Sequence, residues 1–330
     1  MTPRRLACLA FLWMAVAAGL ALADAHAPAP TNDAARFVIV VGAPGEPQYA
    51  THFTRQADAW TRLAQRAHAT STVIGLDPVQ TNDLASLRTA LATIPPGGAE
   101  PLVLVLVGHG THDGRHARFN LRGPDLTATN LQEWLAPVTR PTAVVNLASA
   151  SAPFINALAR SNRVVLTATR SGNEVNATRL GDELAGLLEQ EATDLDQDGD
   201  LTLLEAFLAA ASRTAEFYKA ESRLATEHPL LDDNGDGRGT PAEWFKGTRA
   251  TKKAANAGAT DGLRAHQVVL VPGPDTARLT PEQRARRDDI ERRIEALRAA
   301  RPTPPDDAYW ARLEALLLEM ARVTSSAATP

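Results

Sequence analysis

Leu102-Val103-Leu104-Val105-Leu106-Val107-Gly108-His109-Gly110 is the stretch on which the fold turns. Six apolar residues run without a polar break and stop at a glycine. Alternating polarity would mark a strand with one face in water. An unbroken run this short marks a strand buried on both faces, as in a parallel sheet covered by helices. Phe37 to Val41, ending at Gly42, Thr142 to Val145 and Val164 to Thr167 are runs of the same kind. Helical patterns such as Phe53 to Ala67 and Asn82 to Ala92 separate them. Strands alternating with helices predict an α/β domain over 37–178, built on a parallel sheet.

In such sheets ligands bind beyond the carboxyl ends of the strands. Gly108-His109-Gly110-Thr111-His112-Asp113-Gly114 lies there after one strand, and Asn146-Leu147-Ala148-Ser149-Ala150-Ser151-Ala152 after the next. A histidine between two glycines at a strand end is exposed and close to the backbone, which suits a general base. The same pattern suits a tight turn whose histidine has no chemical role.

These segments resemble those of the caspase-like proteases, a group that includes legumain and the caspase-like proteins of bacteria. In that group a His-Gly follows one apolar strand, and the nucleophilic cysteine follows the next in a segment of the form Ala-Cys-x-Ser-Gly. Val103 to Gly110 is similar to the first element, with His109 at the base position. Ala148 to Ala152 is similar to the second, with Ser149 where the cysteine would be and Ala152 where the glycine would be. Arg163 to Thr169, followed by Arg170-Ser171-Gly172-Asn173-Glu174, resembles the next strand and the substrate-lining loop. The resemblance covers about Phe37 to Phe217 and implies a caspase-like parallel-sheet sandwich.

It departs from the family at the nucleophile. A thiol has a pKa near about 8.5, so one histidine can generate a useful fraction of thiolate. A serine hydroxyl needs a base that is itself oriented by a carboxylate, together with an oxyanion hole. Asp113 and Asp125 are the acids nearby in sequence, and nothing in the sequence sets either against His109. The expectation is a peptidase homologue that acts by binding a protein or peptide partner. The alternative is a hydrolase using Ser149 and His109.

Beyond the sheet lie two twelve-residue segments, Asp194 to Glu205 and Asp232 to Glu243, with the ligand spacing of an EF-hand calcium loop. In the first, Asp194, Asp196 and Asp198 supply carboxylate oxygens, Asp200 its carbonyl, Thr202 a direct or water-mediated oxygen, and Glu205 both oxygens. In the second the same roles fall to Asp232, Asn234, Asp236, the carbonyl of Arg238, Thr240 and Glu243. Helical patterns flank the first, with Leu180, Leu184, Leu187 and Leu188 before it and Ala206, Phe207 and Ala210 after. The second follows Pro229, which breaks an entering helix, and has Gly239 at position 8 where paired loops place an apolar residue. The expectation over 179–250 is one standard EF-hand and one calcium loop entered by a turn. One helix from about Glu205 to Ala225 leaves room for them to pack as a pair.

The chain has 330 residues, 44% of them apolar, and a net charge of -4. No basic domain stands out, so nucleic acid is not an expected partner. Arg4, Arg5, the apolar run Leu6 to Leu22 and the small residues Ala21-Leu22-Ala23 read as an export signal over 1–23, followed by a linker over 24–36. Cleavage would leave no stable membrane span and would remove Cys8, the one cysteine. The expected location is therefore the periplasm or the exterior.

Weaker signals have plain readings. Gly42-Ala43-Pro44-Gly45 is a turn without the Gly-Lys-Ser/Thr ending of a phosphate loop. Thr226-Glu227-His228 is a cap and surface pair in preference to a metal pair. Arg122 and Arg170 suit carboxylate recognition or simple solvation. Gln267 to Val271, in the 251–275 segment, is a last strand expected at an edge of the sheet. Thr280-Pro281 opens a helix carrying Ile290, Ile294 and Leu297, and Asp307 to Val323 forms another with Trp310, Leu313, Leu316, Leu317 and Met320. The resulting helical hairpin over 276–330 either covers the α/β domain or offers its stripe to a partner, as a calcium-dependent interaction module would.

Overall fold

The computed structural model describes residues 35–190, 193–255 and 258–325. The expected signal segment, and the linker up to residue 34, lie outside the described residues.

The chain opens with β1 (Arg36–Val41), α1 (Pro47–Arg66), β2 (Thr70–Ile74), α2 (Asp83–Ala92) and β3 (Leu102–Val107). A small antiparallel sheet of β4 (Gly110–His112), β5 (Ala117–Phe119) and β6 (Leu126–Thr127) leads into α3 (Ala128–Trp134). Then come β7 (Thr142–Asn146), α4 (Pro153–Leu158), β8 (Arg163–Thr167), α5 (Leu180–Leu188), β9 (Leu201–Thr202) and α6 (Leu203–Ala220). Next are β10 (Leu230–Asp232), β11 (Thr240–Pro241), a single 3-10 turn over Ala242–Trp244, and the hairpin of β12 (Phe245–Lys246) and β13 (Arg249–Ala250). The chain closes with α7 (Leu263–Gln267), β14 (Val269–Val271), α8 (Pro274–Arg278), α9 (Pro281–Ala299) and α10 (Asp307–Ser325).

The main sheet has seven strands in the order β11-β10-β8-β7-β3-β1-β2. The five from β2 to β8 run parallel, and β10 and β11 are antiparallel additions. The expected α/β class with a parallel sheet is therefore observed. Side chains alternate between its two faces. Phe37, Ile39, Val103 and Val105 pack under α1, α5 and α6 with Trp60, Leu184 and Phe207. Val38, Val40, Leu104 and Leu106 pack under α2, α3 and α4 with Leu87, Leu131 and Phe154. Because both faces are covered, β3 is buried at all six positions, and the unbroken apolar run follows from that.

Four expectations are corrected. The last strand, β14, does not join the main sheet; it pairs antiparallel with β9 inside the first acidic loop. Beside β8 the sheet is extended instead by β10, whose Leu231 is fully buried, and β11 lies outside it. The second loop is therefore entered by a strand of the main sheet and not by a turn. β9 pairs with β14 and β11 with β10, so the short strands of the two loops do not pair with each other as those of a packed EF-hand pair would. The helix between them stops at Ala220, sooner than expected, and Ser222 just beyond takes a left-handed φ of 53°.

The expected helical hairpin is present: α9 and α10 share a small core of Ile290, Ile294 and Leu316. Thr280 and Gln283 form a capping box at the start of α9. Among the described residues no helix is long and apolar enough to cross a membrane.

Candidate functional site

His109 and Ser149, the two sequence-predicted catalytic residues, follow the carboxyl ends of the adjacent strands β3 and β7. They are not hydrogen-bonded to each other there. Ser149 is 2% exposed; its hydroxyl donates to the carbonyl of Gly110 at 3.0 Å and accepts the Gly110 N–H at 3.1 Å. Gly110 must be glycine for this approach, since a Cβ there would sit 2.3 Å from the Ser149 carbonyl oxygen. The proton that a base would have to remove is committed to a backbone acceptor.

His109 turns toward α1. Its ring meets Tyr49 edge-on at 4.5 Å and Phe53 at 5.1 Å. Burial lowers its pKa below the ordinary histidine value, against the opposing pull of the Pro44 carbonyl and Glu46. Neither nearby acid orients it. Asp113 accepts the N–H groups of Arg115 and His116 and pairs with Arg118, contacts that hold its carboxyl far below the usual range. Asp125 accepts the Leu121 N–H. A pocket of about 80 Å3 beside His109 is lined by His52, Gln56, Thr178 and Asp182. Asp182 is held there by His52 and Gln56, each at 3.0 Å. This polar group was not anticipated. The one sequence signal for it is the helical i, i+4 spacing of His52 and Gln56, which sets both on one face of α1.

The turn after Ser149 is strained, with Ala150 at a left-handed φ of 51°. Its N–H donates to the Glu174 carbonyl at 2.8 Å, and the Glu174 carboxylate accepts the Arg170 N–H and meets His228 at 2.5 Å. Glu227, expected in a surface pair, is instead buried, 3% exposed, and accepts the N–H groups of Arg179 and Leu180 at the start of α5. Arg122 is not simply solvated; it grips the buried Asp83 through two bonds of 2.8 Å. Gly42 to Gly45 form a turn in which the Ala43 N–H donates to Asn120.

The two acidic loops fold alike. In the first, Asp194 accepts the N–H groups of Asp198 at 3.2 Å and Gly199 at 2.9 Å, and Asp198 accepts that of Asp200 at 2.8 Å. In the second, Asp232 accepts the N–H groups of Gly235 at 3.0 Å and Gly237 at 2.9 Å. Asn234 accepts the Asp236 N–H and Asp236 that of Arg238, each at 2.8 Å. The left-handed positions coincide as well. They are Gln197 and Gly199 at φ 63° and 87°, and Gly235 and Gly237 at 81° and 74°. The position-6 N–H to position-1 carboxylate bond and the position-7 N–H to position-5 carboxylate bond recur in both.

In the first loop, ligand oxygens of Asp194, Asp196 and Glu205 lie within 4.8 Å of one another. Glu205 is fully buried at the first turn of α6, where it accepts the Leu195 N–H at 2.7 Å and both the N–H and the hydroxyl of Thr202. With Thr202 capping in return, this capping box holds the position-12 carboxylate at the loop. The Asp200 side chain points away from the loop and caps α8, accepting the Gly273 N–H and the Thr276 hydroxyl, each at 2.7 Å.

In the second loop, among the described residues, no three carboxylates meet in the same way. Glu243 is exposed and lines a groove of about 730 Å3 along α6, beside Leu208, Ala211, Tyr218 and Phe245. Gly239 answers to packing, since a Cβ there would lie 2.6 Å from that of Leu230. What holds this loop is a pair of acids outside the ligand spacing. Asp233 accepts the N–H groups of Gly262 and Ala265, while Asp261 accepts those of Asp233 and Asn234 and the Thr240 hydroxyl. Burial pushes Asp232 up to about 6 and raises Asp233 and Asp261 too, with the Asp261 charge adding to the effect on Asp233. The sequence signal for Asp261 is no more than an Asp-Gly turn.

No family model matches this chain, and no curated protein matches it. Among solved structures, the Drosophila initiator caspase Dronc is similar over 62% of this chain and 81% of its own, at 14% identity and a TM-score of 0.39. Caspase-1 from Spodoptera frugiperda is similar over 62% of this chain and 88% of its own, at 11% identity and a TM-score of 0.40.

Proposed function

We propose that this is an exported calcium-binding protein on a caspase-like scaffold, without peptidase activity. The repeated loop carries the reading: two twelve-residue segments with the same ligand spacing share two loop hydrogen bonds and the same left-handed positions. Calcium takes six to eight hard oxygens, and each loop offers carboxylate, carbonyl and hydroxyl oxygens at the required spacing. Asp194, Asp196, Asp198, Thr202, Glu205 and the Asp200 carbonyl would hold one ion. Asp232, Asn234, Asp236, Thr240, Glu243 and the Arg238 carbonyl would hold the other. A bound cation would favour the ionised form of Asp232, offsetting the burial that raises its pKa. The exterior, to which the signal segment would deliver the chain, holds enough calcium to fill even weak loops.

The absence of peptidase activity is argued from Ser149. Both of its hydroxyl bonds go to Gly110, and Asp113 and Asp125 are occupied away from His109. The protein then acts through its surface on a protein or peptide partner.

Calorimetric titration of the mature protein with calcium tests the reading. Two ions are expected, the tighter at the first loop. Absence of binding heat together with a melting curve unmoved by millimolar calcium would sink the calcium reading. Incubation with a peptide library is expected to give no cleavage above background; turnover that disappears in both Ser149→Ala and His109→Ala would establish a hydrolase instead.

A further inference from the structure

A histidine from outside the loops reaches the first of them. His266 lies near the end of α7, and its Nδ1 is sealed from solvent without a hydrogen-bond partner. Asp196 Oδ2 is 3.9 Å away, beyond hydrogen-bonding range. Ligand atoms of Asp196, Asp198 and His266 all lie within 4.8 Å of one another. The ring's place is set by two contacts that follow it in the chain. The ladder of β14 on β9 pairs Val269 with Thr202 and Val271 with Leu201, and Asp200 grips the start of α8. Together they clamp the end of α7 over the loop.

Calcium does not explain a nitrogen here, because hard cations take oxygen ligands. One imidazole with two carboxylates is the donor set of a borderline divalent metal, and three protein ligands leave a fourth position for water. The geometry points to a zinc-class site made of His266, Asp196 and Asp198, built onto the first loop. Zinc bonds to nitrogen and oxygen are about 2.0–2.2 Å, so tetrahedral ligand atoms sit ~3.3 Å apart. Closing the 3.9 Å gap between His266 and Asp196 therefore takes only a small side-chain movement. Asp196 and Asp198 serve both ions, so zinc and calcium exclude each other at this loop. Only that competition rests on the calcium reading; zinc binding itself does not.

The test uses the mature protein, stripped of metal and titrated calorimetrically with Zn2+ alone, with Ca2+ alone, and with Zn2+ in excess Ca2+. The same titrations are run on His266→Asn, His266→Ala and Glu205→Gln. Zinc is expected to bind the unaltered protein, to weaken at least tenfold in both His266 variants, and to survive Glu205→Gln. Calcium is expected to change little in the His266 variants and to be lost from the first loop in Glu205→Gln. Residue-level mass spectrometry of histidine acylation on the unaltered protein reads the site without mutation, with zinc protecting His266. Zinc affinity unaffected by His266 substitution, or no protection of His266, would overturn the inference. If zinc depends on His266 while calcium binds nowhere, the calcium reading alone falls. If calcium binds and zinc ignores His266, this inference alone falls.

Discussion

Asp194 to Glu205 and Asp232 to Glu243 share two loop hydrogen bonds, yet the first runs into an 18-residue helix and the second into a single 3-10 turn. The first is held at its exit. Thr202 and Glu205 cap α6 and pin the position-12 carboxylate, while the entry leaves Leu195 47% exposed. The second is held at its entrance. There β10 belongs to the main sheet and Asp233 and Asp261 are each bonded to the other's segment, while Glu243 is left facing a groove. The same acidic turn has thus been fastened to the scaffold from opposite ends. The end that is fastened determines which of the acidic side chains are already held.

The strongest way to break this comparison is to remove the last ligand of each loop. At a calcium concentration about 100-fold above Kd, binding adds about 2.7 kcal/mol. At roughly 2–4 °C per kcal/mol, that raises Tm by roughly 5–10 °C. Glu205→Gln keeps the capping box, since glutamine also serves at that position, and is expected to remove most of the rise. Glu243→Gln is expected to remove less than half of it. Equal losses in calorimetric melts would show that the anchoring does not matter.

A smaller effect separates the two roles of Asp200. Its carbonyl is the expected calcium ligand, whereas its side chain, 4% exposed, holds α8. Asp200→Ala is expected to cost about 2 kcal/mol in metal-free urea unfolding, because it leaves a buried backbone donor and a hydroxyl without their acceptor. The calcium-induced rise in Tm is expected to persist. A variant of full stability that no longer binds calcium would reverse the assignment.

The smallest effect serves as a control outside both loops. Burial pushes Asp288 on α9 up to about 6, with Arg287 opposing. Between about pH 4 and that value the folded chain binds more protons than the unfolded one. Stability therefore falls as pH rises through the window and levels off above it. Asp288→Asn should flatten this fall by up to one proton's worth in denaturant series run in chelator. It should do so equally with and without the Glu205 substitution; a flattening confined to one background would tie α9 to the first loop.

The parts legible in the sequence were those set by local pattern. A strand buried on both faces shows itself as an apolar run, so β1, β3, β7 and β8 could be read directly. The turns of both acidic segments are made by bonds within twelve consecutive residues, so both were visible as well. β2 was not, because its Thr70, Ser71 and Thr72 are exposed at an edge and carry no apolar pattern. For β14 the pattern marked a strand, but period alone does not name a partner, and its partner is β9 and not the main sheet. The cluster of His52, Gln56 and Asp182 joins residues well over a hundred positions apart. The bond from Ser149 to Gly110 likewise depends on how closely two turns approach. Neither distance is written in local sequence.

The order of the main sheet also bears on how this protein behaves when concentrated. One border is β11, two residues long and containing Pro241, too short to template a strand from another molecule. The opposite border, β2, presents threonine and serine and no apolar stripe. The second acidic loop is thus the stopper on one side of the sheet. Unravelling Asp232 to Pro241 would bare the outer backbone of β10 and turn a closed border into an adhesive one, making self-association the first visible sign of its loss.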